Sequence, residues 1–452
     1  MTQQAPTGAI ATSEDAQLDS LLAQCQAPSV ELPDAEAAAW LQRVREEARR
    51  ELAQLRLPGT KDEEWRFTDI SPLREREFRA APTVALEPQA AAAWILPEAP
   101  VTRLTFVNGH YAPQLSDVSG LPADVFAGNL SQLSPQAGAQ LSQYLGQPDG
   151  GQDAFARLNT AGLQDAAVVW LPRNALVEAP IHLLFLSVPR QEAVLAQPRA
   201  LVVAQTGACA QLVEQYATVL ADDQDCAPYF NNAVTELWLA DGAQLGHVRL
   251  QEDARSSFHV GRTAAVQARD SRYSCHAVTL GAQLSRHNLQ VDALGEQTTT
   301  HLNGLTVANG KQLADTHSTL AYTRPYGSSD QLHKCIATDR AKTVFNGKVH
   351  VPQAAQLTNA AQLNRNLLLS PKAHAHTKPE LQIVANNVQC SHGATVSQLE
   401  ADELFYLRSR GLNETQARDL LVNAFAAELL ERLPVASLRQ RLATTVAERV
   451  AN

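Results

Sequence analysis

The chain has 452 residues, 45% of them apolar, and carries a formal net charge of −10 from 37 basic and 47 acidic side chains. A chain this long exceeds one ordinary core and calls for two or three structural units. The acid excess, with an isoelectric point near 5.7, argues against a nucleic-acid coat and against an anionic membrane surface, since both want a basic face. No apolar run approaches the ~20 residues of a bilayer span. Glu14 and Asp15 precede the first basic residue, Arg43. That start fits neither a signal nor a transit peptide, so a cytoplasmic location is expected.

The N-terminal part reads as helix. Leu18, Leu21, Leu22 and Cys25 keep helical spacing before Pro28. After Pro33 a longer stripe follows, with Leu41, Val44, Ala48, Leu52 and Leu55 on one face and Arg45, Glu46 and Arg50 expected in solvent. Pro58-Gly59 ends it. The charged and aromatic patch Lys61 to Thr68 reads as a loop anchored by Trp65 and Phe67. A mixed stretch follows, with a short strand at Leu104 to Val107 before a turn at Asn108-Gly109.

From about Asp165 strand-like runs succeed one another, among them Val168 to Leu171, Ile181 to Val188, Glu236 to Leu239 and Gly246 to Leu250. A turn-then-strand element recurs at Gly207 to Leu212, Asp241 to Leu245, Leu280 to Leu284 and Ala354 to Leu357. Imperfect repetition of a turn and a strand marks a solenoid built from strands. Between Val351 and Ser391 there are five Asn and five Gln but few charges. Amides can bond from rung to rung where stacked charges would repel. The composition therefore favours a parallel β-helix, with a β-sandwich as the alternative. The end is helical again. Asp402 to Arg410 stops at Gly411, Asn413 and Gln416 form a capping box, and Ala417, Leu420, Leu421, Ala424, Phe425 and Leu429 line one face. A last helix carries Leu438, Leu442, Val446 and Val450. The expected fold class is mainly β, with a β-helix core over 161–397, a helical and mixed region over 1–160 and a helical domain over 398–452.

Six cysteines, Cys25, Cys209, Cys226, Cys275, Cys335 and Cys390, are scattered and form no CxxC pair. Most are expected to be small buried hydrophobes. Cys390 and His392 sit two apart in an extended stretch, so both leave one face of a strand. A thiol and an imidazole on one face suit iron, zinc or copper(I), or else form a buried Cys beside a hydrogen-bonded His. Eleven of the thirteen histidines lie from His247 onward, and His374 and His376 form a second same-face pair. That pair could touch metal or simply fill a groove. Gly304 to Lys311 imitates a phosphate loop with the wrong spacing, and Gln312 stands where Ser or Thr would bind magnesium. No GxSxG, HExxH or GxGxxG occurs, and carboxylates around 350–392 are too sparse for a glycosidase.

Four stretches carry a resemblance: Pro58 to Thr68, Leu158 to Ala161, Lys342 to Val349 and Cys390 to Thr395. Through them the chain resembles the SufB/SufD family of the SUF iron–sulfur cluster assembly system, and the WRFT-type segment leans to the SufD branch. The resemblance implies a right-handed parallel β-helix and a non-catalytic scaffold role. It implies pairing with SufB and binding of the ATPase SufC by the C-terminal helices, with Leu420, Leu421 and Phe425 supporting that surface. It implies that His392, with Cys390 beside it, contributes to a transient cluster at the SufB–SufD interface. No nucleotide is expected on this chain. A reduced flavin on the complex and a homodimer of the isolated chain stay open. The competing readings are an adaptor that holds SufB and SufC without a ligand of its own, and a β-helix carbohydrate enzyme.

Overall fold

The computed structural model describes residues 15–25, 32, 35–146, 153–219 and 227–451. The chain start up to Glu14, Pro28 that stops the first helix, Pro33 that precedes the second, and Cys226 lie outside them. Strands alternate between two sheets, one of eleven and one of ten strands, and nearly every neighbour in each sheet is parallel and two strands away in sequence. This is a flattened parallel β-solenoid, as the recurring turn-strand element predicts. Register is regular: Leu284, Leu313, Lys342 and His374 stack in one column. Strands Arg103–Val107 and Phe126–Asn129 extend the two sheets at the far end, so the first rung uses residues before 161. Asn108 and Gly109 form the turn of the small hairpin there, both with positive φ.

One corner of the solenoid explains three of the four repeats, while Leu280 to Leu284 turns at the passage from the second sheet back to the first. Gly207, Gly242, Asp270, Gln297, Tyr326 and Leu357 each have positive φ and stand where the chain passes from the first sheet to the second. Each donates its N–H to the carbonyl of Asp241, Arg269, Glu296, Pro325, Gln356 or Asn387 on the next rung. Only two of these six are glycine, so later corners leave no glycine signature in the sequence.

The interior is aliphatic at its sides, with Leu183, Val202, Leu212, Leu237, Val291 and Val349 in one cluster. Its middle holds polar groups that pair with each other. Glu214 lies 3.0 Å from His247 Nε2, Arg249 2.6 Å from His259 Nε2, and Asp253 2.9 Å from His259 Nδ1. Burial alone would raise the Glu214 carboxyl, but His247 and Arg249 hold it well below the usual range.

Both outer faces are covered. The N-terminal helices Ala16–Gln24 and Ala35–Leu52 and the helix Ala154–Ala161 pack on the first sheet through Leu18, Leu21, Leu52, Phe155, Leu158, Phe230 and Phe258. Arg45 corrects the expected solvated face. It is buried, donates from Nε to the Leu163 carbonyl at 2.7 Å, and burial lowers its pKa to about 10. The C-terminal helices Glu414–Leu430 and Ala436–Ala451 pack on the second sheet, against Val213, Val248, Val278, Leu305, Leu332 and Leu367. Leu438, Leu442, Val446 and Val450 are buried there as their spacing predicts, and the Asn413–Gln416 capping box forms. The stripe of Glu414–Leu430 is turned from the expected one. Ala417, Val422, Ala426, Leu429 and Leu430 are buried, whereas Leu420 and Ala424 are exposed. Gly304 to Lys311 is the end of strand Thr299–Ala308 and its turn. No helix among the described residues is long and apolar enough to cross a membrane.

Candidate functional site

The solenoid ends on two strands, His374–Ile383 and Gln389–Ser397, each paired along one side only. Gln389 donates its N–H to Thr358 on the rung below. By strand alternation, the N–H groups of Cys390, His392, Ala394 and Val396 then face outward from the free edge. His374 and Val384 likewise donate to Ala341 and Val351 below, so Ala375, Thr377, Leu381 and Ile383 present the outward donors of the other edge. Pro379 stands among them and has no N–H, which interrupts that edge. The strand carrying Cys390 has no such interruption.

Cys390 pairs with Ala360 and His392 with Gln362, both inward-facing positions of the strand Asn359–Leu368. Cys390 is half-buried against the interior cluster, and burial raises its thiol above the ordinary range. His392, two residues on, shares that face and is exposed because no rung lies above it. The sequence expectation of one shared face therefore holds, and the pair stands at the mouth of the bore. Beneath His392 run amides. Gln362 Nε2 donates to Gln331 Oε1 at 2.9 Å, and Gln331 Nε2 donates to Ser318 at 2.7 Å. Among the described residues no three His, Cys, Asp or Glu side chains gather to hold a metal ion. Two donors are half of a four-coordinate set.

His374 and His376 lie on the outer face of their strand, away from Cys390 and His392. His376 stacks on Phe67 at 4.2 Å between ring centroids, and burial together with His374 lowers its pKa. Phe67 belongs to a strap, which extends the anchored loop expected from the sequence across the sheet. The segment from Gly59 to Thr68 crosses the outer face of four aligned rungs. Arg286 lies 3.8 Å over the Trp65 ring, Thr68 bonds Asp315, Glu64 reaches His317 and Lys348, and Glu63 pairs with Lys378 on the last strand at 2.8 Å. Burial would raise the Asp315 carboxyl, but Arg286 and His317 hold it at about 2. A polar groove of about 900 Å³ opens beside the strap, lined by Trp65, Asp153, Arg262, Arg286 and His317. Its charges answer one another: Arg286 pairs with Asp315 and His317 with Glu64.

Of the C-terminal residues singled out from sequence, Leu420 is exposed, Leu421 is half-buried, and Phe425 is half-buried with Lys334 Nζ 4.5 Å over its ring. Helix Ala401–Ser409 buries none of its residues, and Phe405 and Tyr406 are 73% and 57% exposed. Sequence reading passed over both. Two adjacent aromatics in a short helix that also carries Asp402, Glu403 and Arg408, with no apolar stripe, are the sequence signal that could have found them.

Fold and geometry together define a parallel β-solenoid with helical covers on both faces and a same-face Cys390–His392 pair at its open end. Residues 187–425 match the SUF system FeS cluster assembly, SufBD core domain, and residues 16–183 match the SufBD protein N-terminal region. The chain is 51% identical over 394 residues to an iron-sulfur cluster assembly SufBD family protein of Synechocystis, covering 86% of this chain and 87% of that one. It is 34% identical to the chloroplastic protein ABCI7 of Arabidopsis thaliana, over 94% of this chain and 87% of that one. It is 31% identical to the iron-sulfur cluster assembly protein SufD of Escherichia coli, over 87% of this chain and 89% of the other. The chain belongs to the SufBD family of SUF-system iron–sulfur cluster assembly proteins.

Proposed function

We propose that this chain is a non-catalytic scaffold subunit that pairs with SufB across the open end of the solenoid and offers His392 to a cluster forming at that seam. One observation supports the reading: Cys390 and His392 stand on the inner face of an uninterrupted edge strand, and no third ligating side chain of the described residues joins them. A neutral imidazole among thiolates from the partner is an accepted cluster ligand set and binds more loosely than four thiolates, which suits a site that must release its product. Cys390 is the second donor of this chain. Its thiol, held protonated by burial, would have to lose its proton to bind iron. The free cysteines suit a reducing compartment such as the cytoplasm.

The ATPase SufC belongs on the C-terminal helices, where Phe405, Tyr406 and Leu420 are exposed and Leu421 and Phe425 support them from beneath. Helix Glu414–Leu430 is bolted to the rungs nearest the mouth. Lys334 bonds the Phe425 carbonyl and Glu428, Arg365 pairs with Glu428, and Arg418 bonds the Leu369 carbonyl. A pull on that helix by nucleotide-driven motion of SufC thus acts on the last strands and alters access to His392.

The test is reconstitution of the full complex with iron and sulfide. His392→Ala leaves the complex intact by gel filtration and abolishes cluster absorbance. If His392→Ala complexes assemble clusters at the normal yield, this chain is an adaptor without a ligand of its own.

A further inference from the structure

The column beneath His392 contains two polar groups with no partner, one rung apart. Gln362 is 3% exposed, and its Oε1 is buried with no hydrogen bond. Its Nε2 is committed downward to Gln331, which is committed to Ser318 across the bore. The residue in register above Gln362 is His392, whose imidazole makes no hydrogen bond to another described residue. Parallel strands lie about 4.8 Å apart, within reach of a side-chain amide and an imidazole on one face. A buried carbonyl oxygen without a donor is costly, and a ring N–H is the donor this column supplies. The slot for the amide is cut by Gly347 on the facing sheet, where a Cβ would come within 2.2 Å of Gln362 Nε2. Two of the stretches that mark this family, the one holding Gly347 and the one holding His392, therefore meet at Gln362.

We propose that Gln362 is the positioning residue of His392. Its buried carbonyl oxygen accepts one ring N–H, fixes the tautomer and leaves the opposite nitrogen directed out of the mouth toward iron. Outer partners of this kind orient metal-binding imidazoles and raise their basicity. The register and the unpartnered carbonyl oxygen stand on the geometry, whereas the consequence for clusters rests on the role proposed above for His392.

The experiment compares the wild-type complex with complexes carrying Gln362→Leu, Gln362→Glu and His392→Ala, all reconstituted with iron and sulfide. Cluster loss to a chelator and thermal unfolding are both followed. Leucine removes the acceptor but suits the buried column. Glutamate keeps an acceptor but buries a charge. The expected result is that Gln362→Leu loses iron about tenfold faster than wild type while Gln362→Glu stays near wild type, although the glutamate variant melts lower. If loss simply follows melting temperature, so that glutamate is worse than leucine, or if leucine matches wild type, the positioning role is overturned. In that event a cluster-free His392→Ala complex leaves the proposed function standing. A His392→Ala complex that holds clusters like wild type overturns both.

Discussion

Single residues show how the bore is fitted. In the stretch Lys342 to Val349, Thr343, Phe345, Gly347 and Val349 face inward, while Asn346 and Lys348 face the strap. Phe345 stacks on His333 at 5.0 Å, and burial lowers that imidazole to about 4, so it stays neutral. Gly347 is small because Gln362 crosses its position. A Cβ there would also lie 2.8 Å from the Phe345 ring. Gly347→Ala is expected to destabilise the chain by about 1–3 kcal/mol through overpacking. Chemical denaturation measures it, and an unchanged midpoint contradicts the packing described. At this scale much was legible. Alternation in an extended segment places Cys390 and His392 on one face without any structure. Arg45 was not legible, because its burial depends on the Leu163 carbonyl 118 residues away, which no local pattern encodes.

Among the elements, the strap is the one that local sequence hides best. Its ties to Asp315, His317 and Lys378 are polar and reach more than two hundred residues downstream, so no apolar periodicity points to them. Its electrostatics give a pH signature. The His317 bond, with Lys348 and Arg286 nearby, lowers the Glu64 carboxyl to about 2. A lowered carboxyl stabilises above its unfolded value of about 4.3, and that contribution is lost as pH falls through the folded value. His317 has the opposite sign. Burial would lower it, but Asp315 and Glu64 raise it, so its contribution is full below about 6.5 and is lost as pH rises through the raised value. The strap is therefore held hardest between about pH 4.5 and 6.5. Glu64 is half-exposed, so this tie is worth less than about 1 kcal/mol. The fluorescence difference between wild type and Trp65→Phe follows the stacking on Arg286. A maximum in that window is expected, and a flat profile from pH 3 to 8 contradicts it. The C-terminal helix shows a second limit of local reading. An apolar stripe fixes that a helix has a buried face, but the curved outer surface of a solenoid decides which residues fill it. Hence Val422 is buried and Leu420 is not.

For the whole molecule, the solenoid announces itself through repeated turns and through amides that replace charges. Gln362 bonds Gln331 from one rung to the next, as composition suggests, whereas Asn366 bonds Asn364 within its own strand. Corners built on Asp270, Gln297, Tyr326 and Leu357 were not readable, because the left-handed position is imposed by the corner hydrogen bonds rather than by glycine. Stacking rungs leaves one consequence that no single rung shows: the last strand has a free edge, and Cys390 and His392 on its inner face have no rung above them. Removing Lys334, whose side chain is nearly buried under helix Glu414–Leu430, tests whether the covers are tied to that end. Lys334→Ala is expected to speed proteolysis within residues 414–430 several-fold, and an unchanged cleavage rate contradicts the tie.

Nitrogen hyperfine spectroscopy addresses the centre of the account most directly. This chain is labelled with ¹⁵N-histidine, assembled with unlabelled partners, reconstituted and reduced to a paramagnetic cluster. A strongly coupled ¹⁵N signal that vanishes in the His392→Ala complex is the predicted result. A cluster whose spectrum shows no histidine nitrogen, or the same nitrogen in the variant, would contradict it.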